Sequence, residues 1–164
     1  MRIIKILLLS ALILLPLLLS ACKKTAPAEE SKPSPVFRKD GSLDILAPDG
    51  TVKTSFDLEI VESESEVRQG LKYRDKMADN QAMLFILDGQ GPSGFWMQDT
   101  YLSLDMLFID REQNIFQIET HTTPFSEERI EPEKINKYTL EIKAGIAEKL
   151  NIQKGDKIRW QRIK

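Results

Sequence analysis

The stretch VKTSFDLEIV, from Val52 to Val61, has the alternating pattern that decides the fold class. Apolar or β-branched residues occupy every second position, and Lys, Ser, Asp and Glu occupy the positions between them. Successive side chains of a β-strand point to opposite faces, so a period of two predicts a strand with one face in water. The stretch therefore predicts a strand that gives its other face to a hydrophobic core.

Shorter apolar segments on both sides of this strand predict further strands. They are SLDILA at 42–47, AMLFIL at 82–87, GFWMQ at 94–98, LDMLFID at 104–110, IFQIETH at 115–121, KYTLEIKAG at 137–145 and KIRWQRI at 157–163. Turn-forming residues separate most of them. About eight short strands favour a mainly β fold, a β-sandwich or barrel, over a βαβ fold.

Two short helices are predicted among the strands. Ser63 and Glu66 form a capping-box pattern, in which the Ser side chain accepts from a backbone amide and the Glu side chain reaches back to the cap. We expect this helix to cover about 64–70 and to stop at Gly70. The segment GIAEKLNI at 145–152 predicts the second helix.

The first 22 residues have the organisation of a bacterial lipoprotein signal. Two basic residues precede an apolar stretch at 6–21, and LSAC at 19–22 resembles a lipobox, whose cysteine becomes lipidated after cleavage. A spanning helix needs about 20 apolar residues, and Pro16 would weaken one, so a cleaved signal is favoured. Cys22 is the only cysteine, so its lipidation leaves no thiol for a disulfide, a catalytic role or a zinc site.

The chain is expected to divide into three parts. Residues 1–21 form the signal peptide, residues 22–41 the lipidated cysteine with a flexible tether, and residues 42–164 a single β-rich domain. The tether is polar and rich in Pro, so it cannot bury enough surface to offset its chain entropy. We expect an exported protein anchored in the cell envelope, facing the periplasm from the outer membrane if the cell has two membranes.

The charge balance argues against nucleic acid as a partner. The chain has 23 basic and 25 acidic side chains, and loss of residues 1–21 leaves 21 basic ones, a net charge of −4. Nucleic-acid binding depends on clustered Lys and Arg that face phosphates, and the mature chain has no basic run. The expected partners are the membrane, through lipid on Cys22, and an unknown small molecule or protein.

Six short motifs follow one another through the domain. They are RQGLKYR at 68–74, AMLF at 82–85, FWMQDT at 95–100, LDMLFID at 104–110, LEIKAG at 140–145 and KGD at 154–156. In this order they resemble the motifs of the domain of unknown function 192 family, over roughly residues 54–160. The resemblance implies a compact, jelly-roll-like β domain, often behind a signal peptide or lipid anchor. It implies no established activity, ligand or catalytic residue.

The motif at 95–100 is the first place to look for a binding site. Trp96 and Met97 are neighbours on a predicted strand, so their side chains point to opposite faces. One is expected in the core and the other in a pocket or a second packed layer. Trp96 is therefore a candidate for stacking on a ligand.

Asp99 and Asp105 flank a five-residue connection, and two roles are open for them. Paired carboxylates can act as acid and base in catalysis. Alternatively, each carboxylate fixes a turn by accepting from backbone amides, or Asp105 pairs with Arg68 or Arg74. The catalytic residues stay unassigned, and the candidate binding residues are Arg68, Arg74, Trp96, Asp99, Thr100 and Asp105.

His121 and the turn at 110–114 have simpler interpretations. A single His without Cys partners makes no familiar zinc site, so His121 is expected to be an exposed residue at a strand end. The turn DREQN lacks the Gly and the distal Glu of a calcium loop and is expected to join two strands of a hairpin. No metal or cofactor is expected, and no nucleophile elbow, phosphate loop or dinucleotide fingerprint occurs.

These features favour a lipid-anchored, non-catalytic binding or accessory module. One alternative is an envelope hydrolase or lyase that uses Asp99 or Asp105, and another is a structural envelope protein that packs against a partner. The positions of Arg74, Asp99 and Asp105 distinguish a site from architecture. Convergence in an open cleft would favour a site, whereas burial in ion pairs would favour architecture.

Overall fold

The computed structural model of the protein describes residues 34–88 and 93–163, so the predicted signal peptide and Cys22 lie outside the described residues. Seven strands and two short helices occur in the described part. In chain order they are β1 (Gly41–Leu46), β2 (Val52–Val61), α1 (Glu64–Gln69), β3 (Gln81–Ile86), β4 (Leu104–Ile109), β5 (Ile115–Glu119), β6 (Tyr138–Lys143), α2 (Ile146–Lys149) and β7 (Lys157–Arg162). The predicted mainly β fold with two short helices is confirmed.

The seven strands form one curled sheet in the order β5-β4-β6-β3-β2-β1-β7. β2 and β3 pair in parallel, with α1 in the crossover between them, and the other neighbours pair antiparallel. The two outermost strands approach each other at one end, where Ile158 donates its N–H to Gln113 O at 2.9 Å and Ile115 donates to Asp156 O at 2.8 Å. The sheet is therefore a half-barrel whose outermost strands, β5 and β7, contact each other only at one end.

The segment 94–98, predicted to be a strand, does not form one. The described part of the structure therefore has seven strands, and not the eight or so that the sequence predicts. Phe95 and Ile130 form an isolated bridge through two backbone hydrogen bonds of 3.0 and 2.7 Å. A third bond joins Met97 N–H to Ser126 O at 3.0 Å. Asp99 then has φ 58°, and this left-handed conformation turns the chain before a ladder can extend.

Two hydrophobic clusters pack on opposite faces of the sheet. Leu107 and Ile109 of β4 point into the first cluster with β1, β2 and α2, whereas Leu104, Met106 and Phe108 point into the second. The second cluster is covered by α1, by the segment after it and by the loop around Phe95. Because both faces are covered, all six residues of β4 are buried.

The helix α1 begins with the predicted capping box. Ser63 accepts from the Glu66 N–H, and the Glu66 side chain accepts from the Ser63 N–H, at 3.3 and 3.2 Å. The helix ends at Gln69, and Gly70 follows with φ 47°. None of the helices in residues 34–88 and 93–163 is long and apolar enough to span a membrane.

Residues just before β1 already contact the sheet. Asp40 donates its N–H to Leu58 O at 2.8 Å, and its carboxylate accepts from Ile60 N–H at 2.9 Å. The Asp40 carbonyl accepts from Ile163 N–H at 2.8 Å, so the segment entering the domain lies beside the segment leaving it.

Candidate functional site

A pocket of about 230 Å³ lies on the second cluster, between α1 and the loop around Phe95. Its apolar walls come from α1, from β3 and the residue after it, and from the loop; they include Val67, Leu71, Phe85, Leu87, Phe95 and Trp96. Its polar lining includes Arg68, Lys72, Thr100, Arg129 and Glu141. The pocket thus combines an apolar interior with a few convergent polar groups, as small-molecule sites do.

The side chains of Trp96 and Met97 point in different directions, one into the pocket and the other into the core. The sequence predicts this arrangement, although the two residues do not lie in a β-strand. Met97 is 1% exposed and packs in the second cluster, whereas Trp96 is 48% exposed and lines the pocket. Half of an indole surface is therefore free to contact a ligand.

Glu141 is the polar group buried most deeply in the pocket lining. The pairing of four central strands places Glu59, Met83, Glu141 and Met106 in one row. Glu141 is 4% exposed, and the groups that act on its carboxyl are the burying residues and the Arg74 charge, with no hydrogen bond from a described residue. Burial raises its pKa to about 8, although the nearby Arg74 guanidinium opposes that rise. Burial therefore favours the neutral carboxylic acid form of Glu141.

Arg74 lies beneath this region and pairs with Glu59. Its Nη2 is 2.7 Å from Glu59 Oε1, and both side chains are buried. Arg74 Nε has no partner among the described residues. The predicted ion pair between Asp105 and Arg74 is therefore wrong, because Arg74 pairs with Glu59 of β2.

Asp105 and Asp99 do not form a carboxylate pair facing the pocket. Asp105 is 0% exposed and accepts from the backbone N–H groups of His121 at 3.0 Å and Ala147 at 2.9 Å. It points away from the second cluster, because Leu104 and Met106 on either side of it point into that cluster. Asp105 therefore holds the segment after β5 and the start of α2 in place.

Asp99 lies in a turn outside the pocket lining. Its carboxylate is 3.7 Å from Lys72 Nζ and accepts a hydrogen bond from the Tyr73 hydroxyl, which raises the pKa of that tyrosine. Its carbonyl accepts from Tyr73 N–H at 2.9 Å. Asp99 thus fixes the contact between two loops, in agreement with the turn or ion-pair alternative.

The remaining candidates lie at the pocket. Arg68 is exposed on α1 and pairs with Glu64. Thr100 is buried, and its hydroxyl donates to Gln98 O at 3.3 Å. Of the six predicted binding residues, the pocket lining therefore includes Arg68, Trp96 and Thr100, and it excludes Arg74, Asp99 and Asp105.

The regions with possible metal ligands have structural roles. His121 is exposed two residues after β5, as predicted. The turn after β4 closes a hairpin, with Asn114 N–H donating to Asp110 Oδ1 at 2.9 Å and Asp110 N–H to Asn114 O at 3.0 Å. Within the described ranges, no group of three or more His, Cys, Asp or Glu side chains is arranged to hold a metal ion.

Sequence reasoning missed Glu141. It belongs to the motif LEIKAG, but alternation along 138–143 predicts that Thr139, Glu141 and Lys143 face water. The structure places β6 in the middle of the sheet with both faces covered, so Thr139 and Glu141 are buried. The local pattern has no signal for that second covering layer.

Comparison with known proteins places the chain among uncharacterised relatives. The sequence pattern of the domain of unknown function 192 family, described as "Uncharacterized ACR", matches residues 45–160. A proposed transcription regulator from Sinorhizobium meliloti 1021 shares 32% identity over 77% of this chain and 97% of its own, with a TM-score of 0.71. A protein of unknown function from Novosphingobium aromaticivorans DSM 12444 shares 26% identity over 73% of this chain and 84% of its own, with a TM-score of 0.68. No protein with a curated description matches the chain.

Proposed function

The chain belongs to the domain of unknown function 192 family, and on that premise we propose that it is a lipid-anchored envelope protein whose β domain binds a small molecule without transforming it. The pocket carries the binding part of this proposal. It joins the half-exposed Trp96 to the buried Glu141, whose carboxyl has no hydrogen-bond partner among the described residues. The Glu141 oxygens are not among the fully buried unpaired atoms of the described residues, so they are accessible from the pocket and free to bond to a ligand.

The non-catalytic assignment follows from the two carboxylates that offered an acid and a base. Both oxygens of Asp105 accept backbone N–H groups, and Asp99 lies outside the pocket lining. A hydrolase or lyase built on this pair therefore has no geometric support.

The envelope part of the proposal rests on the sequence. The basic start, the apolar stretch and LSAC at 19–22 support lipidation of Cys22, and several acyl chains give stable anchoring. Cys22→Ser should abolish fatty-acid labelling and release the protein from membranes. Labelling that survives this substitution would contradict the anchor.

A role in transcription, which the name of the S. meliloti protein implies for that protein, is not part of the proposal. The full chain has a net charge of −2 and no run of Lys and Arg within the β domain. Nucleic-acid binding depends on clustered cations that face phosphates.

A second candidate function, docking on a partner protein, is favoured by an exposed aromatic cluster. Tyr101 contacts Tyr73 and Phe125, with ring centroids 6.3 and 5.3 Å apart, and the three side chains are 41–60% exposed. Exposed aromatic clusters are enriched where proteins bind one another.

One experiment separates the two functions. The full chain, purified in detergent micelles, is incubated with an envelope metabolite extract and analysed by native mass spectrometry. We expect bound small molecules on the wild type and on Tyr101→Ser, and their loss on Trp96→Ala. Equal binding by the wild type and Trp96→Ala, or no bound small molecule on either, would contradict the pocket as the site.

A further inference from the structure

We propose that the pocket takes a small anionic ligand with a ring or apolar body, and that Glu141 donates a hydrogen bond to the ligand's oxyanion. This inference rests on the binding function proposed above and assigns its chemical class. The uncharged side chain of a protonated Glu has one O–H donor, whereas an ionised carboxylate has only acceptors. A carboxylate, sulfonate or phosphate oxygen is therefore the natural partner for a neutral Glu141.

The charges around Glu141 favour an anion. Arg74 is occupied by Glu59 beneath the pocket, so the pair contributes almost no net charge. Arg68, Lys72 and Arg129 lie in the lining, and their acidic partners Glu64, Asp99 and Glu131 lie outside it. The ionisable groups in the lining are thus three cations and Glu141. The ion pairs of these cations are partly exposed, and exposed pairs are weak, so a ligand oxyanion can compete for the cations at little cost.

The size and the walls of the pocket limit the body of the ligand. A volume of about 230 Å³ is below the roughly 300–1,000 Å³ of sites for drug-sized molecules. Phe85, Phe95 and Trp96 in the lining favour a flat or apolar group. A molecule with a single ring and one short acidic arm fits both limits.

The protonation of Glu141 gives the inference a distinctive pH dependence. An anionic ligand prefers the protonated acid, because ionised Glu141 would repel it. The pKa of Glu141 is about 8, so affinity for an anion should fall as pH rises through that value. A cationic ligand would prefer ionised Glu141 and show the opposite trend. The charged groups around this region are the pair Glu59 and Arg74, the lining cations Arg68, Lys72 and Arg129, and the acidic partners of those cations, Glu64, Asp99 and Glu131.

Three probes with the same ring test the charge of the ligand. Phenylacetate, phenylacetamide and 2-phenylethylamine are titrated into the full chain in detergent micelles, and the indole N–H signal of Trp96 is followed by NMR. Trp160 does not line the pocket and is the internal reference. At pH 6.5 we expect phenylacetate to bind tightest and the amine weakest, and at pH 9 we expect phenylacetate to bind about tenfold more weakly.

Two substitutions make the result specific to the acid and to the cations. Glu141→Gln keeps the shape and a donor without titrating, so it should bind phenylacetate and lose the pH dependence. Glu148→Gln, an exposed position on α2, should behave as the wild type. Arg129→Gln should weaken phenylacetate and leave phenylacetamide unchanged, which tests the inference even if Glu141→Gln does not fold.

Two outcomes would overturn the inference in distinguishable ways. Tighter binding of the amine, strengthening as pH rises, would reverse the ligand charge and leave the binding function intact. Millimolar probe that shifts no Trp96 signal in the wild type would remove both the anion assignment and the pocket as a binding site.

Discussion

Asp105 and Glu141 are acidic residues on adjacent central strands, and each is almost fully buried. Asp105 accepts two backbone N–H groups, whereas the Glu141 carboxyl has no hydrogen-bond partner among the described residues. Burial raises the pKa of Glu141, because a carboxyl without hydrogen-bond donors is stabilised there by taking up a proton. The residue type alone therefore does not reveal which acid is structural.

Asp105→Ala should destabilise the protein by about 2–4 kcal/mol, because it leaves the N–H groups of His121 and Ala147 without an acceptor in a buried region. Urea unfolding followed by circular dichroism measures the loss. Asp79→Ala is the matched control, since Asp79 forms exposed ion pairs with two lysines and should matter far less. Equal stability of Asp105→Ala and the wild type would contradict the anchoring role.

Glu141 should make the free energy of unfolding fall as pH rises from about 4.5 to 8. Its pKa is raised in the folded state from an ordinary value of 4.5, so the folded protein binds more protons than the unfolded chain in this range. The slope should be about 1.4 kcal/mol per pH unit at most. The wild type is compared with Glu141→Gln by urea unfolding at several pH values, and a constant difference would exclude the shift.

At the scale of elements, α1 forms one wall of the pocket and depends on local sequence. None of its residues is buried, so the capping box is its main local support. Sequence reasoning predicts this helix because the cap and its partner are three residues apart. It also predicts β2 with its observed ends. The predicted single wet face is wrong, because residues 52–55 are exposed or half-buried on both faces and residues 58–61 are buried on both.

Ser63→Ala should cost roughly 1 kcal/mol of stability, because the Glu66 N–H loses its acceptor. Amide hydrogen exchange in α1 should accelerate more than exchange in β4. Ser63→Asp keeps an oxygen at the cap and should restore most of the protection. Unchanged exchange in Ser63→Ala would show that tertiary contacts alone hold the helix.

The elements that sequence reasoning assigns wrongly or incompletely depend on distant contacts. The segment 94–98 has the composition of a strand, yet only Phe95 finds a bridge partner, and Asp99 turns the chain. Polar positions of β6 are buried because another layer covers them. The sequence identifies Trp96 as a candidate because the side chains of two neighbouring residues point to opposite faces. The burial of Glu141 cannot be predicted in this way, because it depends on the layer that covers β6.

At the scale of the molecule, the curled sheet brings β7 against β1, and Gly41 permits their close approach. A Cβ at position 41 would lie 2.3 Å from the Gln161 carbonyl oxygen. Gly41→Ala should therefore destabilise the protein by about 1–3 kcal/mol, measured by thermal or urea unfolding. Ser42→Ala is the neighbouring control, because its side chain forms only an exposed hydrogen bond. Equal stability of Gly41→Ala and the wild type would show that β1 and β7 can move apart at this position without loss of stability.

The contact between Asp40 and Ile163 also has a mechanical consequence. Gly41 pairs with Arg162, so a pull on the two chain ends would act on the same end of two antiparallel strands. Their hydrogen bonds lie across the strands and would open one pair at a time, like a zipper, and not in a block. A low force applied between the two ends of the domain should therefore unfold it. A partner that exerts force on the domain should bind the faces of the sheet.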